Sequence, residues 1–256
     1  MMKLIADSSA NLTMLEGVTY QSVPMTIRAG KRDFVDDETL DTHELLDYLA
    51  AYNGKSGTAC PSLDGWLKAF EGADEIFVIT ITSSLSGTCA SAMAARDVYL
   101  QSHPEVKIHI FDTLSTGPEM QLLAEKLAEL HAKGLPFDVI CEKAQEYLAT
   151  THLFFSLKSL HNLAQNGRVS KIAAGAIGIL GIQILATASL EGTIQPVEKC
   201  RGEKKTCAAM VQNLLEADYH GGKVRIHHAE NPETAGALAA ALRDRFPWTE
   251  IEIAPA

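Results

Sequence analysis

Four short segments rich in hydroxyl side chains could hold a small anion. They are residues 7–9, 57–62, 82–88 and 112–117. Three of them follow apolar runs that predict β-strands, and ligands of open α/β sheets bind outside the carboxyl ends of the strands. The ligand site is therefore expected among these segments.

The sequence SSLSGT, residues 83–88, is the most specific of the four. Ser86 comes just before a predicted helix, where its hydroxyl can cap the helix and free backbone N–H groups point outward. Gly87 lets a ligand approach the backbone closely. This arrangement suits a carboxylate or a phosphate, although the same spacing also fits a serine that only caps its helix.

A nucleophilic serine is the main alternative, in a hydrolase or esterase that acts on acyl substrates. The segment lacks the G-x-S-x-G pattern of a nucleophile elbow, and spacing singles out none of the nine histidines as its base. His227 and His228, at the end of a predicted strand, are the best candidates for that role.

Metal and nucleotide sites are disfavoured by spacing. His227, His228 and Glu230 could suggest a metal, but adjacent strand residues point to opposite faces. The glycine spacings match neither a Walker loop nor a dinucleotide-binding fingerprint. We therefore predict no metal and no cofactor.

Two basic segments stand out in an acidic chain. Residues 166–171 (NGRVSK) follow a predicted helix, and residues 199–205 (KCRGEKK) follow a predicted strand. Arg168 and Arg201 could each hold an oxyanion, or an acidic partner face, through bidentate hydrogen bonds. Either arginine could also be a solvated surface charge.

Composition narrows the classes of partner. The chain has 256 residues, 46% of them hydrophobic, and a net charge of -10, which argues against nucleic acid and against electrostatic docking on an anionic membrane. No apolar run reaches the roughly 18 residues of a spanning helix, and the N-terminus lacks the apolar core of a signal peptide. Five cysteines without a CxxC pair predict reduced thiols and a cytoplasmic location.

Alternating strand and helix patterns must position these segments, and they predict an α/β fold. Residues 75–82 (EIFVITIT) are apolar on both faces, as in a central parallel strand. Residues 17–27 predict another strand with an edge or bend at Pro24, and Thr42 and Ser62 are candidate helix caps. Residues 1–151 are thus predicted to form a parallel-sheet domain with helices on both faces.

The second half of the chain predicts a smaller mixed α/β domain, residues 152–256. The turn signal Glu191-Gly192-Thr193 lies between two predicted strands, and an αβαβ pattern follows. Residues 175–181 are small and apolar. We expect one mixed sheet here, with the domain boundary near residue 152.

Taken together, the motifs resemble those of the DegV family. They are Asp7-Ser8, T-x-x-P-S at 58–62, S-x-L-S-G-T at 83–88, Asp112-Thr113, G-R-V-S-K at 167–171 and R-G-x-x-K at 201–205. They occur in family order over nearly the whole chain. The resemblance implies a two-domain α/β protein that binds a fatty acid. Some members present it to a kinase partner, as the lipid-binding subunit of a bacterial fatty acid kinase.

The resemblance also implies roles for particular residues. Thr58 and Ser86 would bind the carboxylate of a single long-chain fatty acid, with Ser83 or Ser84 close by. Arg168 and Arg201 would lie at the pocket mouth and orient the head group or the partner. The acyl chain would occupy a buried tunnel in the apolar interior.

The sequence departs from the family pattern at two places. Ala59-Cys60 replace residues that are commonly polar, and the sequence ends at Ala256 before a segment that often carries His-x-G-P-G. Either the sequence is truncated here or this member lacks that segment, so no head-group histidine is assigned. Because each buried CH₂ contributes about 0.8 kcal/mol, one polar anchor and an apolar tunnel can hold a long chain without chemistry. The protein is therefore expected to bind lipid and not to be an enzyme itself.

Overall fold

The computed structural model describes residues 1–169 and 182–256. The strands in these residues are β1 (Met2–Asp7), β2 (Thr19–Val23), β3 (Thr26–Ala29), β4 (Arg32–Val35), β5 (Ser56–Ala59), β6 (Glu75–Thr80), β7 (Lys107–Asp112), β8 (Phe154–Leu157), β9 (Ile182–Ala188), β10 (Ile194–Arg201), β11 (Lys223–His228) and β12 (Glu250–Pro255). The helices are α1 (Thr42–Ala51), α2 (Leu63–Phe70), α3 (Thr88–Tyr99), α4 (Pro118–Ala132), α5 (Phe137–Leu148), α6 (His161–Gln165), α7 (Glu203–Glu216) and α8 (Pro232–Arg245). The predicted apolar stretch 175–181, together with Ser170 and Lys171 of the first basic segment, lies outside the described residues.

A four-stranded parallel sheet with the order β2-β1-β6-β7 forms the centre of the first half. All six residues of β1 are buried, and five of the six in β6. Both faces are covered, by α2 and α3 on one side and by α4 and α5 on the other. Burial on both faces explains the nearly continuous apolar sequence of these strands and confirms the predicted architecture.

Alternation along the strands divides the core into two layers. Leu4 and Ala6 of β1 pack toward α4 and α5, whereas Ile5 between them packs toward α2 and α3. Successive strand residues point to opposite faces, so this pattern sets the orientation of β1. The carboxyl ends of β1, β6 and β7 then meet at one edge of the sheet, where three of the hydroxyl-rich segments begin.

Two strand predictions in the first half are wrong. Residues 17–27 do not form one strand, because the chain breaks at Pro24 into β2 and β3, which belong to different sheets. Proline lacks the N–H that a continuous strand needs, and its predicted bend is confirmed. Residues 57–59 were not predicted to form a strand but lie in β5, in an antiparallel sheet with the order β4-β3-β5.

The two predicted helix caps have different outcomes. Ser62 caps α2, because its Oγ accepts a hydrogen bond of 3.0 Å from Gly65 N. Thr42 is the first residue of α1, and the cap is its neighbour Asp41, whose Oδ1 accepts from Glu44 N at 3.0 Å. Aspartate is among the preferred N-cap residues, which explains the shift by one position.

The described residues of the second half form two separate sheets, so the expected single mixed sheet is wrong. Strands β8, β9 and β10 form an antiparallel sheet in the order β10-β9-β8, and β11 pairs with β12 in parallel. The pair β11–β12 has its own apolar cluster beneath α7 and α8. The predicted hairpin between β9 and β10 is confirmed, while the boundary near residue 152 remains a prediction.

Strand β11 joins the second half to α4 of the first. Arg225 Nε lies 2.6 Å from Glu125 Oε1, and Arg225 NH2 lies 2.7 Å from Glu125 Oε2. His227 Nε2 lies 2.7 Å from Gln121 Oε1. The Arg225 side chain is only 4% exposed, and a bidentate pair of this kind fixes orientation as well as distance.

Over residues 1–169 and 182–256, each helix is too short or too polar to cross a bilayer.

Candidate ligand-binding site

A pocket of about 340 Å³ lies at the amino end of α3. Its lining residues come from two segments that the sequence singled out: Ser83, Ser84, Leu85, Ser86, Gly87 and Ala90 from the first, and Gly167 and Arg168 from the second. Residues 82–88 are called the serine loop below. The fold thus brings together two motifs that are about 80 residues apart in sequence.

The amino end of α3 contributes backbone donors to this pocket. Its N-cap residue is Gly87, and no side-chain cap hydrogen bond is present there among the residues described. Ser86 Oγ lies one position earlier, 2.8 Å from Thr88 Oγ1 and 3.3 Å from Thr88 N. Ser86 is therefore not the cap residue of α3. Free N–H groups and the positive end of the helix dipole favour an anion at this point.

Two aspartates accept hydrogen bonds from backbone N–H groups at the start of the serine loop and at the residue before it. Asp7 Oδ2 accepts a hydrogen bond of 2.7 Å from Ile81 N, and Asp112 Oδ1 accepts one of 3.0 Å from Ser83 N. Burial raises the pKa of Asp7, and hydrogen bonds from Ser9 and Ile81 partly offset that effect. The two carboxyl groups therefore organise the loop, a role that their positions at strand ends did not reveal.

Arg168 places a positive charge beside the serine loop. Its Nε donates to Leu85 O at 3.0 Å, and its NH1 donates to Asn166 O at 2.6 Å. The side chain is otherwise exposed. Because Asn166 Nδ2 also donates to Ser56 O at 2.8 Å, the end of α6 is linked to both β5 and the serine loop.

The remaining predicted residues differ in their distance from this pocket. Thr58 is exposed on β5 and is not among the lining residues. However, a β-carbon added at Gly87 would lie 3.9 Å from the sulfur of Cys60, two residues beyond Thr58, so the end of β5 borders the site. Ser83 is exposed, and the Ser84 hydroxyl donates to Glu191 O. Arg201 is exposed at the end of β10 and does not line the pocket.

A family model described as "Uncharacterised protein, DegV family" matches residues 1–256. The chain belongs to the DegV family. A DegV domain-containing protein of Streptococcus pneumoniae is 40% identical over 99% of this chain and 92% of its own length. The resemblance inferred from the motifs is thus confirmed.

Solved structures of the DegV family share the fold closely. A DegV family protein from Eubacterium eligens, loaded with heptadecanoic acid, has a TM-score of 0.98 and 45% identity over 100% of this chain and 93% of that one. The Streptococcus pneumoniae fatty acid kinase (Fak) B3 protein, loaded with linoleic acid, has a TM-score of 0.96 and 40% identity over 99% and 92%. The predicted α/β fold class is confirmed by these matches.

The candidate base His227 is hydrogen-bonded to residues other than Ser86 in this DegV family chain. Both ring nitrogens of His227 are engaged, Nε2 with Gln121 and Nδ1 with Asn11 Nδ2 at 3.2 Å. Burial lowers the pKa of His227 to about 4. Across residues 1–169 and 182–256, no histidine is hydrogen-bonded to Ser86, and no group of three candidate ligands could hold a metal ion. The helix start and the Arg168 side chain at this pocket suit an anion.

Proposed function

We propose that this protein binds one long-chain fatty acid, with the carboxylate at the amino end of α3 and the acyl chain in the apolar interior. The observation that carries the proposal is the wall of the pocket, where Arg168 and the uncapped start of α3 lie beside Ser86. The Eubacterium eligens and Streptococcus pneumoniae relatives, loaded with heptadecanoic and linoleic acid, supply the ligand class.

The chemistry of the head group fits these side chains. A carboxylate buried without partners is costly, so it needs donors and a positive charge. Ser86 can turn its hydroxyl from Thr88 to the ligand, because a hydroxyl rotates to suit its acceptor. Arg168 adds a charge-assisted hydrogen bond, and Thr58 is the second hydroxyl donor of the proposal.

The acyl chain supplies most of the affinity. Each buried CH₂ contributes about 0.8 kcal/mol, so a chain of many methylene groups outweighs the few bonds of the head group. This division requires no cofactor and no catalytic residue.

We also propose that the protein presents its fatty acid to a kinase subunit. The supporting observation is the Streptococcus pneumoniae relative, which is a fatty acid kinase B3 protein. Arg168 and Arg201 would serve the pocket mouth and the partner surface. A cytoplasmic location, where thiols stay reduced, belongs to this proposal.

The test of the head-group assignment is a double variant. Thr58→Ala with Ser86→Ala should lose the fatty acid, because each hydrogen bond to a charged group is worth roughly 1.5–3 kcal/mol. Calorimetric titration of the delipidated protein with heptadecanoic acid measures the loss.

Ser91→Ala is the matched control for that titration, because Ser91 lies on α3 but donates to Pro61 O at 2.9 Å and does not line the pocket. Unchanged affinity in the double variant would contradict the assignment. Hydrolysis of acyl esters that disappears in Ser86→Ala would replace the binding function with an esterase.

A further inference from the structure

The tip of the β9–β10 hairpin rests on the serine loop. This tip comprises residues 189–193, of which the sequence marked Glu191-Gly192-Thr193 only as a turn. Glu191 and Thr193 are exposed, yet Gly192 between them is buried. A hairpin tip normally faces solvent, so burial of its central glycine shows a specific contact.

Two side chains of the serine loop make this contact. Thr82 Oγ1 donates to Gly192 O at 2.9 Å, and Ser84 Oγ donates to Glu191 O. Thr82 Oγ1 also accepts from Ser84 N at 3.2 Å. One buried hydroxyl therefore connects the hairpin tip with the backbone of the loop.

Thr82 also sets the path of the loop toward α3. Its carbonyl accepts from Leu85 N and from Ser86 N, each at 3.2 Å, and its own N–H donates to Ser115 O at 2.9 Å. Any movement of Thr82 would thus move Ser86, the residue proposed to bind the carboxylate.

The hairpin tip is itself a rigid turn. Gly192 N donates to Ser189 O at 2.8 Å, and Ser189 N donates to Thr193 O at 2.9 Å. Gly192 has φ +74°, a conformation that side-chain-bearing residues rarely adopt. A β-carbon at Gly192 would overlap Thr82 Oγ1 and would lie 3.0 Å from Leu114 Cα. Only glycine allows the close approach.

We infer that the hairpin tip is the positioning element of the fatty-acid pocket, with Thr82 and Ser84 as positioning residues and Gly192 as the contact point. The inference rests on the proposed function and assigns different roles to the hydroxyls of Thr82, Ser83, Ser84 and Ser86. The Ser84 hydroxyl donates to the hairpin backbone, so Ser84 is not a carboxylate ligand. Ser86 and the exposed Ser83 remain available to the ligand.

The experiment compares variants that remove the contact with variants that keep it. Thr82→Val and Ser84→Ala remove one hydroxyl each, Thr82→Ser keeps the hydroxyl, and Gly192→Ala obstructs the approach. Leu190→Ala is the control at the hairpin tip, because Leu190 is 93% exposed. The readouts are stopped-flow release of cis-parinaric acid into excess heptadecanoic acid, and amide hydrogen exchange of residues 83–88 in the ligand-free protein.

We expect Thr82→Val and Ser84→Ala to release the probe about five- to tenfold faster, as for the loss of one neutral hydrogen bond, and Gly192→Ala at least as fast. In all three, residues 83–88 should exchange faster without ligand. Thr82→Ser and Leu190→Ala should match the wild type. Ser86→Ala should release the probe faster while the ligand-free exchange of residues 83–85 stays unchanged, as for a ligand contact; Thr88 is left out of this comparison because its N–H donates to Ser86 Oγ.

Three results would overturn the inference. They are wild-type release from both Thr82→Val and Ser84→Ala, equally fast release from Thr82→Ser and Thr82→Val, and faster release without faster exchange. A wild type that does not bind the probe would contradict the proposed function instead. Exchange of the ligand-free loop would then still decide whether the hairpin tip positions it.

Discussion

At the scale of single residues, the roles proposed for the arginines and for the hydroxyl groups can be tested separately by substitution. Arg168 is bonded through Nε and NH1 to two backbone carbonyls, so its position is fixed before any ligand arrives. Arg201 lies at the end of β10 and is exposed. A fixed positive charge near a reacting group stabilises developing negative charge. The proposed role of the two arginines is therefore in phosphate transfer by a kinase rather than in retention of the acyl chain.

Alanine at either arginine should therefore weaken fatty-acid binding only modestly. Transfer of phosphate to the bound fatty acid by a purified fatty acid kinase subunit with ATP should fall much further, since truncating a buried interfacial charge costs about 2–5 kcal/mol. Lipid content and acyl phosphate formation are measured on the same proteins. Complete loss of lipid, with normal phosphorylation when lipid is supplied in excess, would place the arginines in the anchor instead.

The residues of the pocket were predictable in part. Ser86 and Arg168 were found because their motifs have local signatures, a serine-glycine step before a helix and an arginine after a glycine. The roles of Thr82 and Gly192 were not, because the bond between them joins positions 110 residues apart in the sequence. The contact of Ser84 with Glu191 O was not predicted for the same reason, since nothing local reveals this acceptor.

At the scale of elements, the contact of β11 with α4 determines how the second half meets the first. Arg225 bridges to Glu125 of α4 and, at 2.7 Å, to Glu250 of β12. Burial tends to raise the pKa of Glu125, but its hydrogen bonds with Arg225 and Lys223 leave that pKa below its ordinary value. His227 lies beside this pair, and burial lowers its pKa to about 4.

Stability should therefore fall in mild acid because of His227. The unfolded chain takes up a proton near pH 6.5 and the folded chain only near pH 4, so the contribution is complete above pH 6.5 and is lost as pH falls toward 4. Between pH 6.5 and 5 the loss is up to about 2 kcal/mol, at 1.36 kcal/mol for each pH unit. Urea unfolding across this range measures it.

His227→Gln should flatten that part of the pH profile, whereas His152→Gln, at an exposed position, should leave it unchanged. A wild-type free energy of unfolding that stays constant from pH 6.5 to 5 would show that His227 is not held neutral by the junction. Glu125 does not alter the free energy of unfolding in this pH range. A carboxylate with a lowered pKa loses its contribution to stability only below about pH 4.3.

Elements were predicted well where burial alone decides them. The central strands β1 and β6 are apolar throughout, and their sequence indicates a parallel sheet covered on both faces. Strand β5 was missed because Ser56–Ala59 has little strand propensity and exists through pairing with β3. The pairing of β11 with β12, separate from β8–β10, likewise depends on contacts between distant segments.

At the scale of the whole molecule, the protein combines a rigid sheet edge with a pocket built from both halves of the chain. The serine loop comes from the first half, and Arg168 and the hairpin tip come from the second. Ligand sites at such junctions are common because two rigid units enclose the ligand between them. Fatty-acid binding is therefore expected to stabilise the contact between the two halves, and to be lost when the head-group contacts are removed.

Native mass spectrometry of the purified protein tests the central claim most directly. We predict that each chain carries one adduct with the mass of a single long-chain fatty acid, which disappears under denaturing conditions. The Thr58→Ala, Ser86→Ala double variant should lack it, and Ser91→Ala should keep it. A wild-type native mass equal to that of the bare chain, both as purified and after incubation with heptadecanoic acid, would contradict the account.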